Sequence, residues 1–384
     1  MAKRKRIGLI YTYGESWIAG NYYTQNLIQA LNTLPDTEKP RLQILTFDKK
    51  DFDALSQLTQ YPHLALQPLD IKYNIFQRII NKASRGLLGN NLIEKLPSAQ
   101  SLDILFLAWE KSYLKHVPLR SKLYWIPDFQ EAHLPHFFSE EELQQRKSYQ
   151  EALVQAKASI VFSSKDALTD FQRLYPHHQN KTFILNFAVT HPVYQDLSIE
   201  ALRQKYQLPD VYFFSPNQFW AHKNQKVILE ALKILKNKQV KCTVAFSGKE
   251  RDYRNPAYFP SLKEMIQEYQ IEDYVRFLGF IDRKEQLKLM SAARAIIQPS
   301  LFEGWSTVVE DAKAMNQSII LSNLAVHFEQ VSKEEATFFD PHRPAPLADI
   351  LQKALTQQLP RVQSSYKESV SRFGKSFMNI IQQL

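Results

Sequence analysis

The sequence predicts an α/β protein of two doubly wound domains, each a parallel sheet covered by helices on both faces. Three observations carry this. Short apolar runs alternate with helical patterns through the first half of the chain, the alternation breaks in a polar, proline-containing stretch, Phe187 to Pro209, and then it restarts. The 384 residues, 44% hydrophobic and 23% charged, can bury two ordinary cores and are too many for one typical open sheet.

The elements follow in order. Predicted strands of the first domain are Ile7 to Tyr11, Leu42 to Phe47, Ile104 to Ala108, Leu123 to Ile126, Ile160 to Ser163 and Phe183 to Leu185. Those of the second are Val211 to Ser215, Cys242 to Phe246, Val275 to Phe277, Ala295 to Gln298 and Ile319 to Leu321. The boundary falls between residues 190 and 208, giving domains 1–195 and 196–363, and a last helix, Ser364 to Leu384, has no strand after it. No internal repeat and no low-complexity segment is present.

Composition narrows the class of function. The single cysteine, Cys242, has no partner for a disulfide or a cysteine metal cluster, which suits a reducing compartment. No apolar run approaches about 18 residues, and the start, MAKRKRIGLIYTY, is too short and too aromatic after its basic residues for a signal peptide, so the expected location is cytoplasmic. A net charge of +9 and a pI near 9.2 suit an anionic partner. Dispersed lysines and the lack of any recognition signature argue against nucleic acid. Lys72, Arg78, Lys82 and Arg85 share a predicted helix with Ile75, Phe76, Ile79, Ile80, Leu87 and Leu88, which either packs on its own sheet or makes a peripheral contact with the inner face of a membrane.

The segment Gln298 to Gln330 is the richest in chemistry. A buried strand leads through the loop Pro299 to Gly304 to Ser306 or Thr307, the cap of a helix carrying Val308, Val309, Ala312 and Met315. Free N–H groups and the positive end of a helix dipole there favour phosphate. A carboxylate one turn inside, Glu310, can accept two hydrogen bonds from ribose hydroxyls. A second loop, VYFFSPNQFWAHKNQKVI, runs strand, loop, helix from Val211 and places Lys223 at the first turn of the helix, a compact charge suited to a diphosphate.

The run EGWSTVVE resembles the E-x7-E region of retaining family-4 glycosyltransferases of the GT-B fold, and the resemblance extends over nearly the whole chain. The EGWSTVVE run departs in its spacing, being one residue shorter: six residues, Gly304 to Val309, separate Glu303 from Glu310. The family's phosphate loop carries Gly-Arg followed five residues on by Lys; Asn217 and Gln218 stand in the first two places, and Lys223 keeps the third. The resemblance implies two Rossmann-like domains facing across a cleft, with the tail helix crossing back to the first. It implies a nucleotide-diphosphate sugar as donor and a glycan, lipid-linked or small-molecule acceptor. It puts Glu303 on donor-sugar hydroxyls, Glu310 on the ribose, Gly279 with its neighbours near the base, and Gly20, from a glycine loop Gly14 to Asn26, near the donor phosphate. In WIPDFQEAHLPHFF, it makes Asp128 and His133 the acceptor-side candidates. It implies no metal and no cofactor. A nucleotide-sugar epimerase of the same fold and a non-catalytic sugar-nucleotide binder are the alternatives.

Three signals lead elsewhere. Asp51-Phe52-Asp53 has the form of a metal-binding D-x-D but stands where a helix begins, and reads as capping acids. His133 with His136, and His177 with His178, lack a carboxylate or cysteine to complete a metal site. No nucleophile elbow, Walker loop or dinucleotide fingerprint occurs.

Overall fold

The computed structural model describes residues 4–11, 18–69, 76, 79–80, 82–84, 102–107, 119–363 and 365–384. It contains two wholly parallel sheets. The first is formed by β1 (Arg6–Ile10), β2 (Arg41–Thr46), β3 (Leu64–Pro68), β4 (Ile104–Leu107), β5 (Lys122–Ile126), β6 (Ser159–Phe162) and β7 (Thr182–Ile184), in spatial order 3-2-1-4-5-6-7. The second is formed by β8 (Phe213–Ser215), β9 (Val244–Phe246), β10 (Val275–Phe277), β11 (Ile296–Gln298), β12 (Ile319–Ser322) and β13 (Thr337–Phe339), in order 10-9-8-11-12-13. In each sheet the winding reverses once, beside β1 and β4 in the first and beside β8 and β11 in the second, and ligands of such sheets bind at the carboxyl ends there.

Alternating side chains bury both faces. Leu123 and Trp125 of β5 join one core with Ile7 and Leu9, whereas Tyr124 and Ile126 join another with Ile160 and Phe162. The second sheet is likewise sandwiched, with Phe213 and Ile297 on one side and Phe214 and Ile296 on the other. This two-sided burial explains why the strands read as continuous apolar runs. Two strands have no counterpart in the predicted set, β3 and β13. Both are edge strands, paired on one side only. β3 is only partly buried and ends in Gln67-Pro68, and β13 is three residues long.

The helices, in order, are α1 (Ile18–Asn32), α2 (Lys49–Thr59), α3 (Gln130–His133), α4 (Glu140–Gln155), α5 (Lys165–Leu174), α6 (Ile199–Tyr206), α7 (Gln225–Asn237), α8 (Tyr258–Tyr269), α9 (Arg283–Ala292), α10 (Thr307–Ala314), α11 (Ala325–Gln330), α12 (Pro344–Thr356) and α13 (Tyr366–Gln383). The last places Val370, Phe373, Phe377, Ile380 and Ile381 in the core of the first sheet. It lies against α1, where a Cβ on Gly374 would stand 2.5 Å from the Ala30 carbonyl oxygen, so only glycine allows that approach. α2 begins beside the D-x-D, but its cap is Asp48, whose side chain accepts from Lys50 N; Asp53 pairs with Lys49 at 2.6 Å. No helix among the described residues is long and apolar enough to cross a membrane. Of the predicted amphipathic segment from Lys72 to Leu88, only residues 76, 79–80 and 82–84 are described, with Phe76 and Ile79 exposed; the remainder, and residues 14–17 of the predicted glycine loop, lie outside the described residues.

Candidate active site at the domain cleft

The loops leaving β8 and β11, the switch point of the second sheet, build one wall of the cleft. After β8 the chain makes a short 3-10 turn, Ala221–Lys223, and Asn224 then takes a left-handed conformation (φ 56°) that separates this turn from α7. Lys223 therefore precedes the helix and does not sit in its first turn, a correction to the sequence expectation. The Asn224 amide donates to the carbonyls of Pro299 (3.1 Å) and Pro341 (2.9 Å), fastening the Lys223 turn to the loop after β11. Across that seam Lys223 Nζ meets Glu303 Oε1 at 2.6 Å. The same oxygen accepts from Gln298 Nε2 and Ser300 Oγ, each at 2.6 Å, while Oε2 takes no hydrogen bond among the described residues. Burial opposes ionisation of Glu303, but the Lys223 charge and hydrogen bond, joined by Ser300, outweigh it and hold the carboxyl at about 2. Its neighbour His222 is pushed down to about 3 by burial and by the Lys223 charge, so the imidazole is neutral.

Ser306 caps α10 through its hydroxyl, which accepts from Val309 N at 3.4 Å. Gln330 pins the same residue from α11, accepting from Ser306 N (3.0 Å) and donating to its carbonyl (3.1 Å). Thr307 and Val308, whose first-turn N–H groups have no acceptor within the helix, line the cleft.

Glu310 and Asp311 follow on α10 about 100° apart around the axis, so they face different surroundings. Glu310 is turned away from the cleft. Its oxygens are taken by Lys313 (2.8 Å), Gln330 (3.1 Å) and the hydroxyl of Tyr366 from α13 (2.6 Å). The expected placement of Glu310 on the ribose is corrected accordingly: the tail helix and α11 enclose it. Asp311 lines the cleft instead. Its Oδ1 meets Arg283 (2.5 Å) and His191 (2.9 Å), and its Oδ2 is buried without a partner among the described residues. Burial works against the Asp311 charge, yet Arg283 and His191 bring its pKa below the ordinary value. Seven residues, Gly304 to Glu310, separate Glu303 from Asp311, so the spacing between the two cleft acids is not shortened.

The first domain supplies the facing wall. Asp128 follows β5, and a Cβ on Gly304 would stand 2.7 Å from the Asp128 Cβ and 2.8 Å from the Pro127 carbonyl oxygen. A glycine next to Glu303 therefore lets the two domains touch at the site. Burial raises the Asp128 pKa, against the hydrogen bond its Oδ1 accepts from Gln130 N (3.1 Å). A raised carboxyl favours the folded state fully below the ordinary 3.8 and loses that contribution as pH rises through the folded value. Asp128→Asn keeps the acceptor oxygen and removes the charge, so its Tm is expected to exceed that of the wild type at pH 7, with the gap closing toward pH 3.8 in a pH series of melts. His133 does not reach the cavity. Its Nε2 meets Asp170 of α5 at 2.6 Å, and its ring lies beside Phe302 at 5.1 Å. Gly20 is buried in the first turn of α1, which begins at Ile18, and is not a loop residue.

Two connected cavities result. One, about 260 Å³, lies between the domains and is lined by Tyr23, Trp125, Asp128, Gln130, Lys223 and Glu303, among others. The other, about 520 Å³, lies over the second sheet and is lined by Gln218, Gly248, Phe280, Arg283 and Asp311, among others. Asn217, His222, Lys223, Thr307 and Val308 border both. Asn217 donates to Gln298 Oε1 at 2.8 Å, and the Gln218 side chain accepts from Trp220 Nε1 at 2.8 Å. Gly279, whose carbonyl accepts from Gly248 N (2.9 Å), precedes the exposed Phe280 at the mouth. Asp311, Arg283, His222 and Tyr23 border these cavities in addition to the residues expected from the sequence. For Asp311 the signal was present: it stands at the spacing from Glu303 that E-x7-E requires. Arg283 follows the helix cap Asp282 and had no such mark.

Residues 198–372 match the family model "Glycosyl transferases group 1". Among curated proteins, the O-antigen chain mannosyltransferase RfbU of Salmonella typhimurium is 24% identical over 193 residues, 50% of this chain and 51% of that protein. The serotype-specific mannosyltransferase WbdA of Escherichia coli is 24% identical over 162 residues, 42% of this chain and 19% of that protein. The matches thus span about half of the first relative's length and a smaller part of the second's. Among solved structures, Anabaena HepE in complex with UDP-glucose superposes with a TM-score of 0.67 at 16% identity, over 99% of this chain and 100% of that one. A glycosyltransferase from Rickettsia africae superposes with a TM-score of 0.66 at 14% identity, covering 99% and 98%. The fold is GT-B.

Proposed function

From a chain whose residues 198–372 match the group 1 glycosyl transferases and whose fold is GT-B, we propose a retaining glycosyltransferase that moves a sugar from a nucleotide-diphosphate sugar to a glycan, lipid-linked or small-molecule acceptor. The observation that carries this reading is the junction of the two cavities. There Lys223 and the start of α10 lie between a pocket lined by Asp311, whose Oδ2 has no partner among the described residues, and a pocket lined by Glu303, whose hydrogen bonds among the described residues all fall on Oε1. A ribose hydroxyl donates to Asp311 Oδ2, the diphosphate meets Lys223 with the N–H groups of Thr307 and Val308, and a donor-sugar hydroxyl donates to Glu303 Oε2. Arg283, at the start of α9, brings a second positive charge to the wall of the larger cavity, which Gln218 also lines where the family has an arginine.

As the bond from the sugar C1 to the phosphate oxygen breaks, negative charge grows on the diphosphate. Lys223 and the helix amides stabilise that charge. The acceptor hydroxyl attacks C1 from the face the diphosphate leaves, and its proton passes to the departing phosphate oxygen. Asp128 and Gln130 border the space in which the sugars meet.

A thermal-shift screen with UDP-, GDP-, ADP- and dTDP-sugars tests the reading, since a ligand that binds only the folded state raises Tm. No shift with any of them would refute it. Conversion of the donor to an epimer with no release of nucleotide would favour an epimerase. Lys223 and amide donors supply the charge that a divalent ion supplies elsewhere, so nucleotide release is expected to persist in chelator. A rate that collapses in chelator and returns with manganese would show that a metal is needed.

A further inference from the structure

The first-domain wall of the smaller cavity carries an aromatic pair that the roles above leave unused. Tyr23 of α1 is 4% exposed, and its ring stacks on Trp125 with centroids 4.1 Å apart and planes at 21°. Phe187 and Phe373 meet the same ring edge-on. Trp125 is held in place by its Nε1, which donates to Ser163 Oγ at 2.9 Å. The Tyr23 hydroxyl, in contrast, is buried and has no hydrogen-bond partner among the described residues. A buried hydroxyl without a partner works against folding, and phenylalanine would fill this stack without that cost. Burial also raises the phenol far above its ordinary value, so the group is a neutral donor throughout the physiological range.

The cavity that Tyr23 lines presents two kinds of surface. One side is the stacked Tyr23–Trp125 pair; the others carry Asp128, Gln130, Asn217 and the ionised Glu303. A pyranose ring has matching surfaces, an apolar face of C–H bonds and a rim of hydroxyls. We propose that Tyr23 contacts the donor sugar, its hydroxyl bonding a hydroxyl of the pyranose ring that the cavity holds between the Tyr23–Trp125 pair and Glu303. This rests on the glycosyltransferase reading and adds a contact from the first domain, so that the sugar is gripped from both sides of the cleft.

Tyr23→Phe removes one oxygen and leaves the stack. The measurements are the Tm of the ligand-free variant, its affinities for free UDP and GDP, and nucleotide release from UDP-glucose and GDP-mannose. The expected result is a Tm equal to or above that of the wild type, unchanged affinity for the free nucleotides, and a kcat/KM for nucleotide release lowered about tenfold, the loss of one hydrogen bond. Wild-type nucleotide release, whatever the Tm, overturns the proposal. So does a Tm several degrees lower, because the hydroxyl would then have a partner within the fold. Failure of the underlying reading looks different: the wild-type chain itself then shows no thermal shift with any of the UDP-, GDP-, ADP- and dTDP-sugars and releases nucleotide from none of them, and both fall together.

Discussion

Lys223→Ala is expected to lower kcat by about 10²- to 10³-fold while changing donor affinity much less, the pattern for removal of a group that meets charge mainly in the transition state. Single-turnover nucleotide release set against equilibrium donor binding separates the two effects. The same substitution leaves the buried Glu303 carboxylate with only Gln298 and Ser300 at 2.6 Å. Breaking one partner of a buried pair costs about 3–5 kcal/mol, so Lys223→Ala is also expected to melt earlier. Adding Glu303→Gln removes the stranded charge and should return most of the lost Tm, yet leave kcat low. A double mutant that regained turnover would show that Lys223 acts only by neutralising Glu303, and the diphosphate site would then have to lie elsewhere in the cleft.

That coupling also shows where the sequence is legible and where it is not. Strands such as Ile160 to Phe162 are buried on both faces and announce themselves as apolar runs, whereas Leu64–Pro68 and Thr337–Phe339 lie at sheet edges and carry a weaker pattern. Ser306 reads as a helix cap because capping is local, set by a side chain and an amide three residues on. Lys223 and Glu303 are eighty positions apart, and each can be marked from its own loop; their 2.6 Å contact is visible only once β8 and β11 lie side by side. Long-range partners redirect other residues. His133 is held by Asp170, and Glu310 by Tyr366, which arrives on the tail helix 56 positions later. Local pattern can place a carboxylate on a helix without saying which neighbour will enclose it.

Glu310 and Asp311 therefore separate structural from ligand-binding roles at adjacent positions. Asp311→Asn is expected to weaken free-nucleotide binding by about 10- to 150-fold, the equivalent of roughly 1.5–3 kcal/mol for a charge-assisted hydrogen bond. Because the ribose does not change during reaction, ground state and transition state lose alike, and kcat at saturating donor should stay near that of the wild type. Glu310→Gln should differ in affinity and not in Tm, since Asp311→Asn strands Arg283 and is also expected to melt earlier. Its carboxylate pairs with Lys313 and accepts from Gln330 and Tyr366, while the Tyr366 hydroxyl also accepts from Val189 N at 3.0 Å in the segment joining the two sheets. Removing the charge strands Lys313 and loosens the attachment of α13, so the loss should appear as a lower Tm with nucleotide affinity retained below the melt. Calorimetric titration of UDP and GDP into both variants, beside their melting curves, distinguishes the two residues. If Glu310→Gln lost nucleotide affinity while Asp311→Asn kept it, the ribose site would lie on the opposite side of α10 and the cleft would need to reorganise on binding. The unpartnered Asp311 oxygen beside the larger cavity argues that it does not.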